Sequence, residues 1–209
     1  MFTHQVIKLY VFIQLYLLIM LGSFSCTKPR QAELPVEEYF YQNLRKASGR
    51  KLTGTIIYPA GQEAPFQGLP IWLEVNTKNK NEIQLPVYTG HKVYRTLVLG
   101  QDEDGYWLKH ENRKADGTHA EISLYGGHTD EISSPFMLYF TPDVYTRRLL
   151  GTDRRNWSLA LSSDGSILSY IAEDDGRLMM QIDFDIKESL PLAYTYGSSR
   201  EESPKLRNR

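Results

Sequence analysis

The 209-residue chain has one cysteine, no surplus of charge of either sign and, beyond residue 21, no long hydrophobic run. A single cysteine excludes an internal disulfide framework and a cysteine-rich zinc site. With 24 Lys+Arg against 25 Asp+Glu, the chain lacks the basic excess that tracks a nucleic-acid backbone, so no nucleic acid is expected as a partner. A G-x-S-x-G elbow and a Gly-rich phosphate loop are also missing, and the only cysteine is used elsewhere. Four histidines fall between positions 91 and 128, yet their spacings match no short metal-ligand motif. No catalytic residue, metal site or cofactor is expected, and a non-enzymatic role is favoured.

What is present begins with an export signal. Lys8 precedes an apolar run from Leu9 to Leu21, which is too short for a membrane span of about 20 residues but fits the apolar region of a signal peptide. Ser23 and Ser25 supply small residues for cleavage, and the lone cysteine, Cys26, follows at once. The segment resembles a bacterial lipobox, in which the cysteine thiol takes a diacylglycerol and its amine an acyl chain such as palmitate. Ser23 stands where such a motif usually carries an aliphatic residue. Ordinary cleavage after Ser25, leaving a free thiol, is the alternative. Loss of residues 1–25 removes one lysine and no acid, leaving a net charge of −2. Membrane attachment is therefore expected through lipid on Cys26 and not through a basic surface.

After a polar tether, 26–34, a helix is expected over Pro35–Ala47, and a disordered tail over 189–209. The domain between, 35–188, reads as strands: Lys51–Tyr58, Pro70–Asn76, Glu82–Tyr88, Arg95–Leu99, Tyr106–Asn112, Glu121–Tyr125, Phe136–Phe140, Trp157–Leu161, Ile167–Glu173 and Leu178–Ile186. Most alternate apolar with polar residues, and Asp-Gly pairs at 104, 116, 164 and 175 mark hairpin turns, where glycine accepts a positive φ. The expected fold is mainly β, an antiparallel meander with a short N-terminal helix. Ten strands in one open sheet would leave long edges, so closure into a lipocalin-like barrel is expected, with a β-sandwich as the alternative.

Register follows from the turns. A two-residue turn at Asp164-Gly165 sets Leu161 opposite Leu168 and Leu159 opposite Tyr170. A three-residue loop over Asp174–Gly176 sets Tyr170 opposite Met180. In the segment 108–129, a three-residue loop Ala115–Gly117 keeps one face apolar and sets Leu108 opposite Leu124 and His110 opposite Ile122. His110 then points inward, while Lys109, Glu111, Arg113 and Glu121 point out.

An inward histidine could meet a ligand, or could be a core residue satisfied by a carbonyl or a tyrosine hydroxyl. The candidate ligand-binding residues are His110, its tyrosine companions Tyr106, Tyr125 and Tyr170, and the charged hairpin residues Arg113 and Glu121. Gly126-Gly127 reads more readily as a bulge than as an anion cradle. Arg147-Arg148, Arg154-Arg155 and the carboxylates of Asp174-Asp175 read as surface and turn residues. His119 and His128 fall in predicted loops.

One resemblance rests on Leu108, Lys109, His110, Glu111, Arg113, Asp116, Gly117 and Thr118, followed by Glu121, Tyr125, Gly126, Gly127 and Thr129. With Tyr58-Pro59, Phe140–Asp143 and Asn156–Leu159, they resemble an uncharacterised family of bacterial secreted proteins and lipoproteins carrying an L-K-H-[DE]-x-R-x-x-D-G-T hairpin and a Y-G-G motif. Asn112 and Lys114 stand where further histidines often occur in that family. The resemblance implies bacterial export and a β-rich domain, and it carries no activity. The expected protein is a lipid-anchored envelope protein, at the outer membrane facing the periplasm or otherwise periplasmic or secreted, that binds a small, partly apolar molecule. The alternative is a structural or protein-interaction role using an outer patch of Trp107, Lys109, Glu111, Arg113 and Glu121.

Overall fold

The computed structural model describes residues 34–61, 66, 68–187 and 190. The export signal, Cys26, the tether before Leu34 and the tail after Leu190 lie outside these residues.

Helix α1, Val36–Arg45, starts after Pro35, with Glu37 and Glu38 in its first turn and Arg45 in its last, as the helix dipole favours. Phe40, Tyr41 and Leu44, at i, i+1 and i+4, form its buried stripe. The strands are β1 Lys51–Tyr58, β2 Ile71–Glu74, β3 Asn76–Asn79, β4 Glu82–Thr89, β5 Lys92–Asp102, β6 Gly105–Glu111, β7 Tyr125–Thr129, β8 Met137–Pro142, β9 Arg155–Leu161, β10 Ile167–Asp174 and β11 Arg177–Asp185, with helix α2, Val144–Leu150, between β8 and β9. All pairings are antiparallel, and each strand from β4 to β11 pairs with the next. β1 joins β11 to β2, and β2 pairs in turn with β4, which closes the ring. β2 and β3 are separated by Val75 alone and both lie on β4, so they form one bent strand. The fold is a closed, lipocalin-like barrel of ten strands, where lipocalins have eight. Among the described residues, closure leaves no long exposed edge.

Alternation fills the interior. Leu52, Leu73, Leu85, Leu97, Leu108, Leu159 and Phe184 are all buried in one cluster, each worth about 1.5–3 kcal/mol relative to exposure. Helix α1 closes one end: Phe40, Tyr41 and Leu44 belong to the same cluster, and the Tyr41 ring lies 5.2 Å from that of Tyr106 at the start of β6. The Tyr106 hydroxyl donates to Glu38. At the other end, the rim, lie the β4–β5 and β10–β11 hairpins, the β1–β2 and β6–β7 connections, and α2.

The helix and nine of the ten expected strands fall where the sequence placed them, within a few residues. The pairing of Leu161 with Leu168 and of Leu159 with Tyr170 is as expected. The next hairpin differs. Asp174 pairs with Arg177, leaving a two-residue turn in which both Asp175 (φ 55) and Gly176 (φ 70) are left-handed, and a bulge follows at Ala172/Glu173. Tyr170 therefore faces Ile182 and not Met180. A displacement of two residues preserves which side chains face inward.

The segment 119–129 overturns two further expectations. Glu121–Tyr125 is not a strand, and β7 runs from Tyr125 to Thr129, so His128 is a strand residue. The hairpin tip does keep the three-residue loop, with Arg113 bridging His119 and Lys114 N–H bonding Thr118 O. Residues 120–124 then swing out, Leu124 takes a left-handed φ of 58, and Ile122 and Leu124 are exposed. Below the swing, His110 pairs with Tyr125 and Leu108 with Gly127, not with Ile122 and Leu124. The cause lies in Gly126-Gly127. A β-carbon on Gly126 would stand 1.8 Å from Leu108 O, and one on Gly127 1.7 Å from Thr141 O. The pair lets β7 press against both neighbours, and any side chain would hold the strands apart.

Helix α2, a segment for which the sequence predicts no element, locks this contact. Asp143 caps it by accepting Thr146 N–H at 2.7 Å, and the buried Thr146 Oγ1 accepts Gly126 N–H at 2.6 Å. Lys109 pairs with the same Asp143 carboxylate. Leu190, expected in the disordered tail, is buried and donates its N–H to Gly165 O.

Candidate functional site

Three of the six candidate residues converge inside the rim half of the barrel. His110 is fully buried. Its Nδ1 lies 3.0 Å from Tyr125 O and its Nε2 2.9 Å from Tyr170 Oη. A carbonyl can only accept, so Nδ1 carries the proton, and Nε2 accepts from the Tyr170 hydroxyl. The imidazole stacks on the Tyr125 ring at 4.6 Å and 8° and tilts against Trp157 at 4.9 Å. Burial above all, then the charge of Arg95, pushes the His110 pKa well below 6.5. His110 is a neutral group holding two buried partners in place, the core reading of the two considered.

Arg95 was not among the expected site residues, and it organises the polar side of this cluster. It precedes Leu97 and Leu99 on the inward face of β5 and is half-buried. Its Nε–H donates to Asn112 Oδ1 at 3.1 Å and an Nη2–H points at Tyr94 Oη at 3.4 Å. The guanidinium lies 5.5 Å from the Tyr125 ring centre and 5.1 Å from that of Tyr94. Burial opposes its charge, but Tyr170, Tyr125 and Tyr94 outweigh that and raise its pKa, while burial raises that of Tyr170. A signal for Arg95 was in the sequence: it is the one cation at the inward parity of an otherwise apolar strand.

The other three candidates lie elsewhere. Tyr106 is at the closed end under α1, separated from His110 along β6 by Leu108. Arg113 is outside on the hairpin, where it pairs with Glu111, which also accepts His119 Nε2 at 2.9 Å. Glu121 is exposed. Both cations of the outer patch are thus paired, Lys109 with Asp143 beside it and Arg113 with Glu111 within it. Arg154 and Arg155 pair with Asp175 and Asp174 across the rim, and Arg147 donates to Pro142 O. Asp102, Asp104 and His128 bring three donor atoms within 4.8 Å of one another and could contribute to a cation site, but Asp102 and Asp104 are exposed and Asp102 already accepts Asp104 N–H.

Exposed apolar surface is unevenly placed. Of the thirteen large apolar side chains exposed among the described residues, ten belong to the rim: on the last turn of β1, before β2, on the first residues of β5, in the 120–124 swing, on α2 and on β11. Tyr94 carries Phe66 edge-on at 4.5 Å and so joins this apolar rim to Arg95. No family model, curated protein or solved structure matches the chain.

Proposed function

We propose that this protein is a lipid-anchored envelope protein that binds a small, partly apolar molecule at the rim of its barrel. The observation that carries the reading is the concentration of exposed apolar side chains around one barrel end, above an inward cluster of arginine, tyrosines and histidine. Scattered apolar residues need no explanation, whereas a ring of them around a polar centre is the composition of a ligand entrance. The lipobox-like segment ending at Cys26 and the resemblance to secreted proteins and lipoproteins support bacterial export and anchoring. Helix α1 covers the closed end, opposite the rim. The one hydroxyl–base contact of the cluster, Tyr170 to His110, is buried and holds the two side chains to each other, so the proposed role is binding and not catalysis.

A structural or protein-contact role is the second reading, and the tightly packed closed half favours it. The two separate in a fluorescence titration with N-phenyl-1-naphthylamine, a neutral apolar probe. Binding at the rim predicts saturation at one probe per chain and at least a fivefold weakening in Val93→Asp, a change at a side chain 52% exposed that spares the core. A signal that rises without saturating, or that ignores Val93→Asp, contradicts the binding reading.

A further inference from the structure

Arg95 is the half-buried cation of the rim cluster, and no carboxylate among the described residues pairs with it. Its side-chain partners are neutral: Asn112, Tyr94 and Tyr170. Of the other arginines on the same barrel end, Arg154 is matched with Asp175, Arg155 with Asp174 and Arg113 with Glu111, while Arg147, Arg148 and Arg177 are exposed to solvent. Partly buried charges are ordinarily paired, because desolvation costs more than neutral hydrogen bonds return. A guanidinium also has five N–H donors in a planar fork, and these contacts do not use them all.

We propose that Arg95 is the anion subsite of the rim and that the ligand is an amphipathic carboxylate. This rests on the binding reading above and specifies its chemistry. The carboxylate lies on the free edge of the guanidinium within reach of the Tyr94 hydroxyl, and the apolar chain runs over Tyr94, Phe66 and Val93. One guanidinium balances one negative charge. A phosphate monoester carries nearly two at neutral pH and would leave the second uncompensated. The cost of holding Arg95 with no carboxylate partner among the described residues is recovered when the anion arrives.

The test is calorimetric titration of the full-length protein with dodecanoate, dodecanol and dodecyl phosphate, with [1-13C]dodecanoate followed by NMR. The expected result is one dodecanoate per chain, bound about tenfold to a hundredfold more tightly than dodecanol. The bound carboxyl carbon should titrate at lower pH than the free acid, as a neighbouring cation requires. Arg95→Gln should remove most of that preference and leave dodecanol within twofold, while Arg95→Lys retains part of it, because charge remains and the fork is lost. Equal binding of dodecanoate and dodecanol to the unaltered protein overturns the subsite and leaves the binding reading standing. A preference that survives Arg95→Gln in a folded protein overturns it too. Tighter binding of dodecyl phosphate overturns the choice of carboxylate. Absence of binding by all three overturns both this inference and the reading beneath it.

Discussion

Gly127→Ala is expected to abolish the native barrel, with a loss above about 4 kcal/mol, the range reserved for severe core or backbone conflicts. The added carbon would lie 1.7 Å from Thr141 O and 3.0 Å from Asp143 N, both backbone atoms that cannot rotate away. Relief requires β7 and β8 to part. Parting them breaks the bonds around Pro142 and Asp143 and lifts α2, whose Thr146 holds Gly126 N–H. Gly126→Ala should behave alike, since its β-carbon would meet Leu108 O at 1.8 Å and its φ of 154 disfavours any side chain. Urea unfolding with circular dichroism reads this directly. A variant within about 1 kcal/mol of the parent would mean that the contact between β7 and its neighbours is looser than described.

His110→Leu is expected to cost about 2–5 kcal/mol, because it strands two buried groups at about 1–3 kcal/mol each, the Tyr170 hydroxyl and the Tyr125 carbonyl. Tyr170→Phe alone should also destabilise, by leaving Nε2 without its donor. The pair should cost less than the sum of the singles, as for residues in one network. His110 has a pH signature that a plain packing residue lacks. Its folded-state pKa is depressed, so between 6.5 and that lower value the unfolded chain binds a proton that the folded protein does not. The neutral histidine's stability is therefore complete above pH 6.5 and declines as pH falls. Between pH 7.5 and 5.5 the parent should lose more stability than His110→Leu does, by an amount on the order of 1 kcal/mol. Parallel losses in the two proteins would place the histidine's proton elsewhere.

Much of the barrel was legible because alternation and Asp-Gly turns are local signals. Leu159, Leu161, Leu168 and Tyr170 reached their partners from a single turn assignment. The last hairpin shows why a wrong turn length can leave the inward face intact: the error was two residues, and the pleat repeats every two. The 120–124 segment was misread because Ile122 and Leu124 alternate like strand residues yet end exposed. What displaces them is a close approach of three backbones at Gly126-Gly127, which only the missing β-carbons register in the sequence. Helix α2 left a faint trace, an Asp143 cap and a Gly151 stop around seven residues, too short to show a helical repeat.

The site was legible in part for a similar reason. Inward parity placed His110 and Tyr170 in one interior, and their contact at 2.9 Å followed from barrel closure, which brings β6 and β10 together across the core. Tyr106 shared that parity but sits at the other end of β6, a distinction that needs the direction of the strand relative to α1. Arg95 obeyed the same parity rule as Leu97 and Leu99. A charge on an apolar face is the kind of local inconsistency at which functional groups concentrate.

The most direct test of the binding account is a native mass spectrum of the protein taken from the cells that make it. The account predicts a covalent lipid on Cys26 and a single noncovalent small molecule, retained by the parent and lost from Arg95→Gln. Repeated recovery of the folded protein with nothing bound would contradict it.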